Sequence, residues 1–272
     1  KTTITVTVSG TPSAPTVSDV SYCKDDVSTA LTATASSGNT LVWYDANQSE
    51  LTSGAPTPST ASVGTTTYYV AQQTASGCEG SKSTITVTVN ALPVAPSSTS
   101  SIEYCKDATA TALTATASGG HTLVWYGTDG TTVLSGAPTP STGSVGSTNY
   151  YVAQQNTTTG CEGAKTTITV TVNALPVAPT ATTTVDYCQD ATATALTATA
   201  SSGHTLVWYG TDGTTVLSGA PVPPTSTAGS TNYYVAQENT LTGCEGPKTT
   251  ITVTVSGTPS APTVSDVSYC KD

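Results

Sequence analysis

Threonine alternates with β-branched aliphatic residues along much of the chain. In Ile168-Thr169-Val170-Thr171-Val172 the apolar side chains fall on one face of an extended strand and the threonines on the other. The same five letters recur at Ile85, Ile251 and Ile4. Upstream, Leu113 to Ala117 alternates, placing Leu113, Ala115 and Ala117 on one face. Thr122 to Tyr126 is apolar on both faces and predicts a central strand that buries Trp125. Ser118-Gly119-Gly120 predicts a turn, and Asp129-Gly130 a tight hairpin. Val133-Leu134 is the return, and Pro138 and Pro140 mark an edge or crossing loop. Asn149 to Gln155 and Lys165 to Val172 are the last strands. Roughly six or seven short strands in ~80 residues predict a β-sandwich.

The pattern comes three times. Tyr-Cys pairs end at Cys23, Cys105, Cys188 and Cys270; each of the first three is followed 20 positions later by a tryptophan, Trp43, Trp125 and Trp208. Tyr-Tyr-Val-Ala-Gln begins at Tyr68, Tyr150 and Tyr233, and Gly-Cys-Glu-Gly carries Cys78, Cys161 and Cys244. Lys1 to Asp25 returns letter for letter as Lys248 to Asp272. The predicted organisation is a closing strand at 1–9, repeats at 14–90, 96–173 and 179–256, and the start of a further repeat at 262–272. That phasing predicts one period of a longer array. Short segments with prolines three apart, such as Leu92-Pro93-Val94-Ala95-Pro96, predict extended, semi-rigid joints. The expected architecture is all-β, with β-sandwiches end to end as a rod or filament. Leucine-bearing joints at Leu92 and Leu175 should be stiffer than the one at Gly257-Thr258-Pro259.

Charge narrows the function. The net charge is −10, from 17 acidic residues and 7 lysines. Nucleic-acid binding needs a basic footprint, so this charge argues against it and equally disfavours docking on an anionic bilayer. No apolar run approaches the ~18 residues of a membrane span. No phosphate loop, metal-spaced cluster or Ser/His/Asp arrangement appears. His121 and His204 occupy a turn where the first repeat has Asn39. The expectation is therefore no catalytic, cofactor or metal site. Asp129 reads as a turn residue rather than a calcium ligand. Lys82, Lys165 and Lys248 read as solvated lysines rather than isopeptide donors.

Seven regularly spaced cysteines predict a disulfide framework and an oxidising, extracellular setting. The spacing favours pairing inside each repeat: Cys23–Cys78, Cys105–Cys161 and Cys188–Cys244, with Cys270 partnered beyond this segment. Cys78 to Cys105 across a linker is the rival. Pairing inside repeats would bring Lys24 to Glu79 and Lys106 to Glu162. If Trp43, Trp125 and Trp208 face the core, alternation turns Tyr44, Tyr126 and Tyr209 outward, and one tyrosine of each Tyr-Tyr pair as well. With Tyr69, Tyr151 and Tyr234 they form a candidate surface-contact ladder.

The tryptophan flanked by two cysteines resembles an immunoglobulin-like domain, without the usual cysteine positions or tyrosine corner. Tyr-Cys-Lys-Asp, Leu-Val-Trp-Tyr, Ser-Gly-Ala-Pro, Tyr-Tyr-Val-Ala-Gln-Gln and Gly-Cys-Glu-Gly together resemble the immunoglobulin-like repeats of giant Bacteroidota cell-surface adhesins, the gliding-motility substrates of type IX secretion. The resemblance implies a cell-surface filament that serves attachment or gliding. Its partners would be neighbouring repeats of the same chain, extracellular polysaccharide or an abiotic surface, and envelope motility or secretion machinery. The alternative is an array of carbohydrate- or surface-binding modules using exposed Tyr and Thr faces.

Overall fold

The computed structural model describes residues 1–6, 8 and 10–270. Every regular element among them is a strand. In the first repeat these are β1 (Thr16–Val17), β2 (Val20–Cys23), β3 (Ala33–Thr34), β4 (Thr40–Tyr44), β5 (Glu50–Leu51), β6 (Gly64–Gln73) and β7 (Ser83–Asn90). β1 and β3 form one small sheet; the other has the order β2-β7-β6-β4-β5. β2 runs parallel to β7 while the other pairs are antiparallel. The entering strand is thus split between the two sheets. This arrangement defines an immunoglobulin-like sandwich.

The second repeat carries β8 (Ser97–Ser98), β9 (Ser101–Cys105), β10 (Ala115–Thr116), β11 (His121–Tyr126), β12 (Gly146–Asn156) and β13 (Thr166–Asn173). The third carries β14 (Thr180–Ala181), β15 (Thr184–Cys188), β16 (Ala198–Thr199), β17 (His204–Tyr209), β18 (Val216–Leu217), β19 (Gly229–Asn239) and β20 (Thr249–Ser256). The parallel entry strand recurs as β9 on β13 and β15 on β20. The chain packs as two compact bodies. One holds Lys1–Ser100, Leu113–Pro138 and Tyr150–Ile168; the other holds Ser101–Ala112, Thr139–Asn149 and Thr169–Asp272.

Burial follows the alternation. In the first repeat Leu31, Trp43, Val70, Ile85 and Val87 form the core; Leu196, Trp208, Tyr233, Val235, Ile251 and Val253 form that of the third. Trp125, Leu113, Ile168, Val170 and Val172 are likewise buried. The strand expected over Leu113 to Ala117 is reduced to two residues, because Leu113 donates its N–H to Pro138 in the crossing loop instead of to a strand. The closing strand expected at 1–9 falls partly outside the described residues; Ile4, Val6 and Val8 lie exposed and unpaired.

Each tryptophan fills the space between its sheets. Trp43→Ala or Trp208→Ala should cost ~3–5 kcal/mol. Denaturant unfolding of the single variants checks this, and a cost below ~1 kcal/mol would show that the site collapses around the loss.

Candidate functional site: the joint between repeats

Among the described residues two disulfides are present, and neither lies inside a repeat. Cys23 bonds Cys161 and Cys105 bonds Cys244, each with a Cα–Cα distance of 5.5 Å. The first cysteine of one repeat is joined to the second cysteine of the next. The pairings Cys23–Cys78, Cys105–Cys161 and Cys188–Cys244 are therefore wrong, and so is the rival Cys78–Cys105.

The parallel strand explains the correction. Cys23 ends β2 opposite Asn90, the last residue of β7. Cys78 precedes Ser83, where β7 begins. The two cysteines lie at opposite ends of an eight-residue strand, a separation of roughly 25 Å at ~3.3 Å per residue. A disulfide tolerates Cα atoms only ~7 Å apart. The third repeat repeats the geometry, with Cys188 opposite Ser256 and Cys244 before Thr249. Each first cysteine therefore stands where the chain leaves its repeat.

Each second cysteine stands where the linker from the preceding repeat arrives, and Gly-Cys-Glu-Gly makes this possible. Gly160 takes a φ of 74°, a turn conformation that favours glycine, and donates its N–H to Asn156. Cys161 carries the bond. Glu162 accepts a hydrogen bond from the Tyr126 hydroxyl, which fastens the hairpin to β11. Gly163 lies so close to the linker that a Cβ would collide with the Pro93 carbonyl. Gly80 and Gly246 meet Pro12 and Pro176 in the same way.

The linker is held further by a glutamine absent from the candidate residues above. Gln154 is fully buried; its Oε1 accepts from the Ser118 N–H at 2.7 Å and its Nε2 donates to the Val94 carbonyl at 2.7 Å. Gln237 spans Ser201 and Val177, and Gln72 spans Ser36 and Ser13. A fully buried amide costs free energy unless both ends are paired, so each glutamine specifies one linker position. The final Gln of Tyr-Tyr-Val-Ala-Gln falls among apolar positions, and that was the available signal. Thr166 and Thr249 add hydrogen bonds to the Pro96 and Pro179 carbonyls. Leu92 and Leu175 are exposed, so the joints are held by polar contacts and the disulfide rather than by leucine packing. Docking is the same at Ser13, where no leucine is present.

The tyrosine ladder is not an open surface. Tyr126 pairs with Tyr151, Tyr44 with Tyr69 and Tyr209 with Tyr234. However, Tyr44, Tyr126 and Tyr209 are buried, each about 6% exposed. Lys82, Lys165 and Lys248 lie over their rings at 3.4, 3.6 and 3.4 Å, a cation–π contact. These lysines are ring caps rather than solvated side chains; Lys165 and Lys248 also donate to the Gly130 and Gly213 carbonyls. Tyr69, Tyr151 and Tyr234 are half-buried, and the rings of Tyr151 and Tyr234 lie against the Gly130 and Gly213 turns. Lys24 pairs with Asp25 and Lys106 with Asp107, not with Glu79 or Glu162, because the bridges run elsewhere. The Asp129 carboxylate is engaged by its own turn, accepting from Thr131 and Thr132 N–H groups and the Thr132 hydroxyl. These donors hold it well below the usual carboxylate range. In the first repeat Asp45 accepts from Asn47 and Ser49.

Sheet topology, core and joint define the chain as tandem immunoglobulin-like repeats. It belongs to the family described as "Ig-like domain CHU_C associated", whose profile matches residues 12–91, 93–174 and 176–256. Among solved structures it is similar to the I-band fragment I67–I69 of titin, at 13% identity over 90% of this chain and 96% of that one, with a TM-score of 0.34. It is also similar to three N-terminal domains of the bacteriophage RB49 highly immunogenic outer capsid protein, at 12% identity over 85% and 93%, with a TM-score of 0.36. A third is the Bacteroides ovatus glucan-locus protein SGBP-B, in complex with a mixed-linkage heptasaccharide, at 16% identity over 89% and 67%, with a TM-score of 0.21. No curated protein is matched by the chain.

Gln154→Leu should cost ~1–3 kcal/mol, because the Val94 carbonyl and Ser118 N–H lose their partner. Denaturant unfolding reads the loss, and an unchanged midpoint would show that water replaces the amide. The tyrosines make stability pH-dependent. Burial, then the hydrogen bond to glutamate and its charge, pushes Tyr126 and Tyr209 from 10 up to about 12. A raised phenol stabilises the fold below the unfolded value near 10, and that contribution disappears as pH rises towards 12. Ultraviolet titration should find these tyrosines neutral at pH 10.5, with unfolding and their ionisation coinciding above it.

Proposed function

We propose that this chain is a structural segment of a long extracellular cell-surface adhesin filament, serving surface attachment or gliding motility, with end-to-end repeats forming the shaft. The cross-repeat disulfides carry this reading. A binding module needs each domain to be stable alone; a shaft needs consecutive domains to hold their orientation under load. Here the linker and the disulfide connect the same two repeats side by side, and two connections restrict bending and rotation where one would act as a swivel. With both repeats unfolded, a bridge closing a loop of 138 residues contributes roughly 5 kcal/mol in the chain-entropy model. The burial of Tyr44, Tyr126 and Tyr209 weighs against the tyrosine-lined binding array. The neighbouring repeats are the partners this role requires. Polysaccharide, an abiotic surface and the envelope machinery would be engaged by other parts of the adhesin.

Small-angle scattering on the oxidised chain tests the shaft. Three repeats in line should give a maximum dimension above ~100 Å, from strands of roughly ten residues at ~3.3 Å each. The distribution should broaden in Cys23→Ser/Cys105→Ser. A globular dimension would overturn the shaft, and strong retention of the chain on polysaccharide beads would favour the binding array.

A further inference from the structure

We infer that Cys78, Cys188 and Cys270 are open rungs of the same forward-linked ladder, and that in the closed ladder tension bypasses the tryptophan-bearing body of every repeat. The mechanical half rests on the shaft reading; the connectivity half does not.

Both kinds of half-site are already formed. Cys78 is unbonded, yet it occupies the position that Cys161 and Cys244 occupy. Gly77 takes a φ of 85°, Gly80 abuts the Pro12 carbonyl, and Gln72 holds the Ser13 carbonyl at 2.5 Å. The incoming linker is docked as it is at the two bonded joints. Cys161 and Cys244 are buried by their partners, whereas Cys78 is half-exposed. At the other end, Cys188 closes its parallel strand opposite Ser256, and the Gln189 N–H bonds the Ser256 carbonyl. Lys24 and Lys106 make the same bond to Asn90 and Asn173 beside the two bonded first cysteines. Cys78 therefore takes the first cysteine of a preceding repeat, and Cys188 the second cysteine of a following one. Cys270 follows Cys188 by 82 positions in the same Tyr-Cys motif. Each rung forms by thiol–disulfide exchange: two thiols lose two protons and two electrons, and a disulfide oxidant is reduced to two thiols.

The mechanical consequence follows from connectivity. Along the backbone, the route from Cys78 to Cys244 passes through the whole of the second repeat and most of the third. Through the Cys105–Cys244 bridge it is only the stretch from Cys78 to Cys105. At ~3.3–3.6 Å per residue the limiting separation falls from roughly 550–600 Å to roughly 90–100 Å. The short route comprises β7, the linker, β8 and β9. Residues 106–160, with Trp125 and the core strand β11, lie off it. A second route, interleaved with the first, enters at Cys23, crosses to Cys161 and runs an equal stretch to Cys188. Bridges confined to single repeats would leave both linker stretches, Cys78 to Cys105 and Cys161 to Cys188, in series between Cys78 and Cys244, a limit of roughly 180–190 Å.

Two measurements test the inference. In Cys188→Ser the unbonded thiols of Cys78 and Cys270 serve as handles for single-molecule stretching. The oxidised chain should extend no further than the bridged route, Cys78 to Cys105 and then Cys244 to Cys270, allows, roughly 175–190 Å. After dithiothreitol it should reach the full backbone length between the handles, roughly 630–690 Å. Equal lengths before and after reduction would overturn the bypass while leaving the scattering test of the shaft intact. In a chain of two tandem periods oxidised with glutathione disulfide, peptide mapping should recover Cys188 joined to the equivalent of Cys78 one period on. If both cysteines remain open to alkylation, or Cys188 is recovered with Cys244, the ladder is overturned whatever the shape of the array.

Discussion

The architecture depends on the close approach of each linker to the Gly-Cys-Glu-Gly hairpin of the repeat it enters. Pro93 and Gly163 touch backbone to backbone, which only a residue without a side chain permits. That contact brings Cys161 beside the exit of the preceding repeat, where the parallel strand has already placed Cys23. The disulfide fixes a proximity that the backbone packing has created. Gln154 reinforces it from the core side, because a buried amide with both ends paired admits one linker position.

The same motif serves two ends. Glu162 anchors to Tyr126, and Tyr126 lies under Lys165. The aromatic, the cation and the carboxylate together fasten the cysteine-bearing hairpin to the central sheet. An aromatic ladder that looks like a binding stripe in extended strands is, once folded, a clamp. Lysines over the rings of Tyr44, Tyr126 and Tyr209, and carboxylates at the hydroxyls of Tyr126 and Tyr209, take up the groups that a ligand would use.

In the proposed shaft, joining successive repeats rather than closing each one would change how load is carried. A domain with its own disulfide resists unfolding only within the loop it closes. A forward-linked domain shares its covalent connection with its neighbour, so orientation and extensibility are set at the joint. At net charge −10, like-charge repulsion would keep the units of the proposed shaft from adhering to one another.

Much of the fold was legible in the chain. Period-two alternation identified Ile168, Val170 and Val172 as one buried face, and the repeated spacing marked three sandwiches. The disulfide pairing was not legible, because spacing along a chain does not say at which end of a sandwich a cysteine lies. Only the parallel pairing of β2 with β7 puts Cys23 and Cys78 at opposite ends. The duplicated segment makes the division sharp. Ile251, Val253 and Val255 are at most 5% exposed within β20, while Ile4, Val6 and Val8, in identical sequence, are at least 80% exposed. Val20 to Cys23 forms β2 beside β7, whereas Tyr269, the counterpart of Tyr22, is 90% exposed. The letters determined which face of each strand could be buried. Whether a strand formed, and which cysteine met which, was decided by the neighbouring strands, because backbone pairing and apolar burial both require a partner that no local sequence contains.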